Sequence, residues 1–249
     1  MPDVNKLDHL LEFQALLGAY SISAEHRKLL ESLKLVLLLG PTATGRNTVI
    51  RELIKTGDYH YIVSDTTRKP RRNDGILEQN GVEYWFKTEE EVLEGLRLGN
   101  YLEAEVIHGQ QVSGIHIDEL RRAKNEDRIA INEVDIAGVE NVVAAKPDTK
   151  PILLLPPSFE EWQRRIKKRG EPEPTEYKRR MQTALKIFTL AIERSDQFYL
   201  LVNDTIAKTV EHIQLIASDE DIKHASQEQA FKPLQDCLVK TEQLLAQLG

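Results

Sequence analysis

The sequence predicts an α/β fold, a mostly parallel sheet with helices on both faces. Three observations predict it. An unbroken apolar run, LKLVLLLG over residues 33–40, has the length and composition of a buried parallel strand. Strand-like and helix-like segments then alternate along the chain, as βαβ units require. A chain of 249 residues, 41% hydrophobic and 29% charged, is long enough to bury one sizeable core.

The elements follow in order. Leu7, Leu10, Leu11, Phe13 and Leu17 mark an amphipathic helix at the start, and Ser23 caps a second short helix over 24–32. After the apolar strand, strands are predicted over 61–64, 128–133, 151–155 and 198–203. Helices are predicted over 48–55, 136–145, 158–169, 176–194 and 205–218. Between residues 64 and 128 the pattern changes. Short β segments at 82–86 and 105–112 surround a helix near 89–98, which reads as a small α+β insertion. The stretch GEPEPTEY, 170–177, is charged and holds two prolines, so a mobile loop is expected there. A polar run follows residue 218, then a last helix with Leu234, Leu238, Leu244, Leu245 and Leu248. The apolar stripes of both tails are expected to cover the core or to form a contact between copies of the chain.

Composition narrows the class. The formal net charge of -7 argues against a nucleic-acid partner, because neutralising a phosphate backbone calls for a basic surface. Cys237 is the only cysteine, which excludes an intrachain disulfide and a cysteine-based structural zinc site. No apolar run has transmembrane length, so no membrane partner is expected. The first residues, MPDVNKLDHLLEF, lack the order of a signal peptide, and the expected location is the cytoplasm.

The chemistry concentrates in two segments. GPTATGRNT, 40–48, sits between the apolar strand and a helix, with Gly40 and Gly45 at the spacing of a phosphate loop. Glycines let the backbone curl so that several N–H groups converge, and the helix start adds positive potential. Arg46 stands where the usual pattern has lysine, and Asn47 where it has a magnesium-binding hydroxyl; Thr48 follows. The plainer alternative is a Gly-Pro turn. Further on, Arg68 and Arg71 flank Pro70, and two guanidinium forks in one short loop suit a doubly charged phosphate monoester.

Seven segments then occur in one order: VSDTTRKPR (63–71), NGVEYWF (80–86), GNYLEAEVIHG (99–109), INEVDIAGV (131–139), LLLPPSFEEWQRRIKKRG (153–170), the KRRM run, and LLVND (200–204). Together they resemble the guanylate kinases over residues 35–218. The resemblance implies a P-loop kinase fold in a domain at 33–218. It also implies a GMP-binding insertion at about 64–127 and a mobile lid at about 165–183. Extensions at 1–32 and 219–249 lie outside it. The implied reaction is ATP plus GMP giving ADP plus GDP, with magnesium as cofactor and direct phosphoryl transfer.

The resemblance also assigns roles. Gly40, Thr42, Gly45, Arg46, Asn47 and Thr48 would hold the ATP phosphates, with Asn47 offering an oxygen to magnesium, and Asn203 would lie near adenine. Arg68, Arg71 and Tyr84 would hold the GMP phosphate. Ser64 would contact the base, and Glu103, Glu133 and Asp135 would line the nucleotide site, with capping of the next helix as the alternative for the last two. Ser113 would replace a missing tyrosine donor. Arg165, Arg169 and Arg180 would close over the transferring phosphoryl group as electrostatic clamps. A carboxylate selects guanine by accepting its adjacent N–H donors. Spacing to Gly81 prefers Glu78 for this part, whereas counting from Arg71 picks Asp74. Two other readings remain open: a non-catalytic interaction module, because Arg46 and Asn47 depart from the pattern, and a kinase for another nucleoside monophosphate.

Overall fold

The computed structural model describes residues 6–73, 75–170, 172–220 and 222–248. The elements run α1 (Leu10–Gly18), α2 (Ala24–Glu31), β1 (Leu35–Leu39), α3 (Arg46–Lys55), β2 (Tyr59–Tyr61), β3 (Asp65–Thr66), β4 (Arg72–Asn73) and β5 (Ile76–Leu77). There follow β6 (Trp85–Phe86), α4 (Glu89–Arg97), β7 (Tyr101–Ile107), β8 (Gln111–His116), α5 (Ile117–Asn125), β9 (Ile129–Glu133) and α6 (Ile136–Ala145). The last are β10 (Lys150–Leu155), α7 (Phe159–Lys168), α8 (Pro174–Glu193), β11 (Tyr199–Val202), α9 (Ile206–Ala217) and α10 (Lys223–Leu248). Among the described residues, no helix is long and apolar enough to cross a membrane.

The chain divides into two compact units. The first, here the phosphate-loop unit, comprises Leu35–Tyr59, Glu133–Val139 and the chain from Thr149 onward. Its strands β1, β10 and β11 are parallel, with Leu37 opposite Pro151 and Leu153 opposite Leu200. All five residues of β1 are buried, as are Pro151–Leu155 of β10. A parallel strand covered on both faces is apolar throughout, which is why the run reads as continuous. Helix α10 packs on α8, α7 and β11. Its buried stripe is Ser226, Ala230, Leu234, Cys237 and Thr241, at spacings of three and four. The Asp236 carboxylate accepts from the N–H of Phe159 at 3.1 Å, so α10 supplies a cap to the first turn of α7. Lys240 links Asp236 to Glu160, each at 2.6 Å.

The second, the clamp unit, comprises the chain up to Lys34, His60–Asn132 and Glu140–Asp148. Its sheet has the order β6-β3-β8-β7. Strands β7 and β8 form a hairpin whose turn residues His108 and Gly109 both have positive φ, 54° and 68°. Gln110 N donates to Ile107 O across that turn at 3.0 Å, the geometry of a type I′ turn. Thr88 and Glu91 form a capping box on α4. Helix α1 packs on α4 and β7, where Leu7 and Phe13 join Val92, Leu93, Leu96, Tyr101 and Val112 in one apolar cluster.

Several expectations change. The segment expected as a single β piece at 105–112 is the turn and parts of two strands, because His108 takes a conformation rare outside glycine. The strand expected at 61–64 ends at Tyr61, since Val63 N bonds to the Glu119 carboxylate at 3.0 Å. Glu119 belongs to α5, a helix not expected from the sequence. Helix α8 begins at Pro174, inside the expected 170–177 loop, with proline in the first turn where its missing N–H costs nothing. Residue 171 of that loop is outside the described residues. In the tails, Leu11 and Leu248 are exposed; of the leucines expected along the last helix, Leu234 belongs to the buried stripe, whereas Leu238, Leu244 and Leu245 are half-buried beside it.

His60 carries a pH signature. Its Nε2 is 3.5 Å from Glu119 and its Nδ1 2.9 Å from Glu126. The bond to Glu119, with help from Glu126, raises its pKa against the opposing effect of burial. A raised folded value contributes stability fully below the unfolded value of about 6.5, and loses it as pH rises through the folded value. The melting-temperature gap between the parent and His60→Asn should therefore be largest near pH 5.5 and shrink toward pH 8.5, as estimates around that pKa. Thermal melts across this range check it, and a constant gap would remove His60 from the linkage.

Candidate functional site

The phosphate loop leaves β1 at Gly40 and enters α3 at Arg46. Gly40 has φ 148°, and a Cβ there would stand 2.5 Å from Leu154 O, so no side chain fits. Gly45, with φ 97°, is the N-cap of α3 and lends no side-chain cap to the helix start. The first N–H groups of α3 are thus left for an incoming anion.

Donors beneath the loop hold its shape. Asn203 Nδ2 donates to Thr44 O at 2.7 Å, Trp162 Nε1 to Thr42 O at 2.8 Å, and Thr44 Oγ1 to Pro41 O at 3.0 Å. Asn203 is 1% exposed; its Oδ1 accepts from Thr209 Oγ1 at 2.9 Å and its backbone O accepts from Arg165 at 3.0 Å. Asn203 therefore acts as a strut under the loop.

Two cavities flank the loop. One, of about 600 Å³, is lined by Gly40, Thr42, Arg46, Asp135 and Arg180, together with Arg179 and Lys186. The other, of about 370 Å³, is lined by Gly45, Thr48, Arg165, Arg169, Asn203 and Asp204. Arg46 Nε lies 3.9 Å from Glu133 Oε2, a buried oxygen with no hydrogen-bond partner among the described residues. Asp135 Oδ1 accepts from Gly138 N at 2.8 Å and so caps the start of α6. Asn47 and Thr48 are exposed at the start of α3. Arg165 pairs with Glu161 and Arg180 with Glu176, both at 2.8 Å one helical turn away. Arg164 and then Arg165 hold the Glu161 carboxyl down to about 2.

In the clamp unit the structure brings Arg68, Arg71, Glu78 and Tyr84 together. Both Glu78 oxygens accept from Arg68, at 2.5 and 2.9 Å, in a largely buried pair. Glu78 also accepts from Arg71 N at 2.8 Å. The Arg68 guanidinium lies 4.7 Å from the Tyr84 ring centroid and 5.7 Å from that of Phe86. Glu78 thus holds Arg68 charged and in place, and raises its pKa. Ser64 Oγ accepts from Asn132 at 3.2 Å. Ser113 pairs with Thr66 of β3 and Glu105 of β7, and Glu103 lies opposite Ile115. Asp74, the rival for base recognition, is outside the described residues. Sequence reasoning missed Arg179, Lys186 and Glu119. Arg179 stands in the quoted KRRM run, and its spacing of seven to Lys186 on one helix is the signal that was there to use.

The family model described as guanylate kinase matches residues 32–220. A guanylate kinase of Corynebacterium diphtheriae is 36% identical over 186 residues, 74% of this chain and 93% of its own length. One from Trichormus variabilis is 32% identical over 73% of this chain and 88% of its own. The crystal structure of guanylate kinase from Anaplasma phagocytophilum superposes with TM-score 0.53 at 22% identity, over 78% of this chain and 89% of its own, a likeness of fold.

Asn203→Ala should lower stability by about 1–3 kcal/mol, because it strands the Thr44 carbonyl and removes a buried strut. Chemical denaturation of both proteins checks it, and an unchanged midpoint would show that the loop holds itself.

Proposed function

Because the chain belongs to the guanylate kinase family, we propose that it transfers the γ-phosphoryl group of ATP to GMP, giving ADP and GDP. The observation that carries this reading is the cavity at the phosphate loop, where Arg46 and Arg180 flank an uncapped helix start. Phosphoryl transfer needs positioning and positive charge more than a nucleophilic side chain. Arg46 supplies the loop cation, with its guanidinium spreading charge along phosphate oxygens. The pairs Arg165–Glu161 and Arg180–Glu176 lie near the surface on single helices, and such pairs are weak. A polyphosphate therefore competes well for both arginines, and Arg169 joins them.

In the clamp unit, Arg68 and Arg71 hold the phosphate of GMP, with Tyr84 behind Arg68. The Arg68–Glu78 pair is desolvated and doubly bonded, so breaking it is costly. Glu78 accordingly serves as the brace of Arg68. The part of guanine reader passes to Glu103 on β7, with Ser64 and Ser113 as hydroxyl partners.

The donor chemistry around the loop suits magnesium. Asn47 and Thr48 carry neutral oxygens, and Glu133 has a buried carboxylate oxygen without a hydrogen bond. Asn47, Thr48 and Glu133 would hold the ion, which would supply positive charge to offset that of the phosphates. Free nucleotides as substrates fit a cytoplasmic protein.

A coupled ADP-release assay with GMP, AMP, CMP and UMP tests the reading, with turnover expected for GMP. Arg46→Ala should cut turnover on the order of a hundredfold, as for other preorganised charge-stabilising groups. GMP affinity in calorimetry should survive that change. Normal GMP binding by a parent that releases no ADP would favour the interaction module. A second comparison separates the acids. Glu103→Gln should erode the preference for GMP over AMP, whereas Glu78→Gln should weaken both through the phosphate clamp. The reverse pattern would return base recognition to Glu78.

A further inference from the structure

Strand β7 is the edge of its sheet, and an edge strand leaves backbone groups without ladder partners. At Tyr101 both groups are taken by one side chain. The Tyr20 hydroxyl donates to Tyr101 O at 2.5 Å and accepts from Tyr101 N at 2.8 Å. A hydroxyl can donate and accept at once, so Tyr20 stands in for a neighbouring strand at this residue. Tyr20 belongs to the segment before residue 32, where the family match begins.

The contact leads inward. Tyr101 is 2% exposed, and its own hydroxyl donates to Asp65 Oδ2 at 2.7 Å. Its ring meets His116 edge-on at 5.0 Å between centroids. A Cβ on Gly95 would come within 2.7 Å of the same ring, so Tyr101 has no room to shift on that side. Asp65 is 2% exposed and opens β3, between Ser64 and the loop that carries Arg68 and Arg71. In the other direction, the register of β7 shifts between Tyr101 and Glu103. Such irregularities re-aim the side chains beside them. Tyr20 thus pins the strand at the point where Glu103 takes its orientation.

We infer that Tyr20 is a positioning residue for GMP, acting through Tyr101 on Glu103 and, through Asp65, on the arginine clamp. The inference rests on the GMP reading above. The hydroxyl can be removed without releasing the segment that bears it. Leu7 N bonds to Gly109 O at 3.1 Å, Asp8 N and His9 N bond to Glu89 at 3.1 and 2.9 Å, and Ser23 N bonds to Gly99 O at 3.2 Å.

The experiment compares the full-length parent with Tyr20→Phe and Tyr101→Phe, using calorimetry with GMP and steady-state kinetics with ATP and GMP. Tyr20→Phe should raise the Kd and KM for GMP about fivefold or more, the size of coupling expected through such a chain. The KM for ATP should stay within about twofold, below the range of such coupling. Tyr101→Phe, which cuts the next link, should show the same GMP-selective loss. Equal GMP affinity in parent and Tyr20→Phe overturns the inference alone. Parallel loss of ATP and GMP by Tyr20→Phe also overturns it, since a general weakening of the fold would act on both. A parent that binds no GMP overturns the proposed function and this inference with it.

Discussion

The phosphate loop depends on the buried amide of Asn203. In a peptide the C=O and N–H point in opposite directions, so fixing one aims the other. Asn203 takes the Thr44 carbonyl and Trp162 the Thr42 carbonyl, which turns both peptides with their oxygens toward the protein. The same amide nitrogen stands where a side chain on Gly45 would go, so the strut and the glycine require each other. Preorganisation of this kind spares the loop from reorganising when charge arrives. The departures at Arg46 and Asn47 lie at the helix start, beyond the part of the loop that these donors hold.

Each unit has a terminal segment bound to an element that carries a side chain of the proposed site. In the phosphate-loop unit, α10 caps α7 through Asp236, and α7 carries Arg165. In the clamp unit, α1 and the residues after it bind α4 and β7, and β7 carries Glu103. Both segments fall outside the family match. They add apolar cover and hydrogen bonds, at a strand edge in the clamp unit and, beside the Ser158 cap, at the first turn of α7 in the phosphate-loop unit.

The phosphate-loop unit is largely legible in the sequence because its signals are local. The LVLLL run, the glycine spacing after it and the alternation of later elements each lie within a few residues. The candidate site is legible as a set of residues and less so as a set of partners. Arg68 and Glu78 are ten residues apart across a long loop, and nothing in their spacing says that they pair. Helix α5 is hidden because IDELRRAKN is mostly polar, and its buried acid, Glu119, is satisfied by His60, Val63 and Trp85, all distant in sequence, as well as by Arg122 one turn along. The final helix holds more leucines than its buried stripe needs. Packing against α8 and β11 selects Cys237 and Thr241 where a count of leucines selects Leu238 and Leu245.

Cys237 sits within that stripe, fully buried, and burial pushes its thiol up to about 12. Thiolate is the reactive form, so the folded protein shields its only thiol both sterically and chemically. Alkylation of this chain therefore waits for α10 to leave the sheet. The rate at which a maleimide consumes the protein becomes a clock for that detachment, and wild-type sequence already carries the reporter.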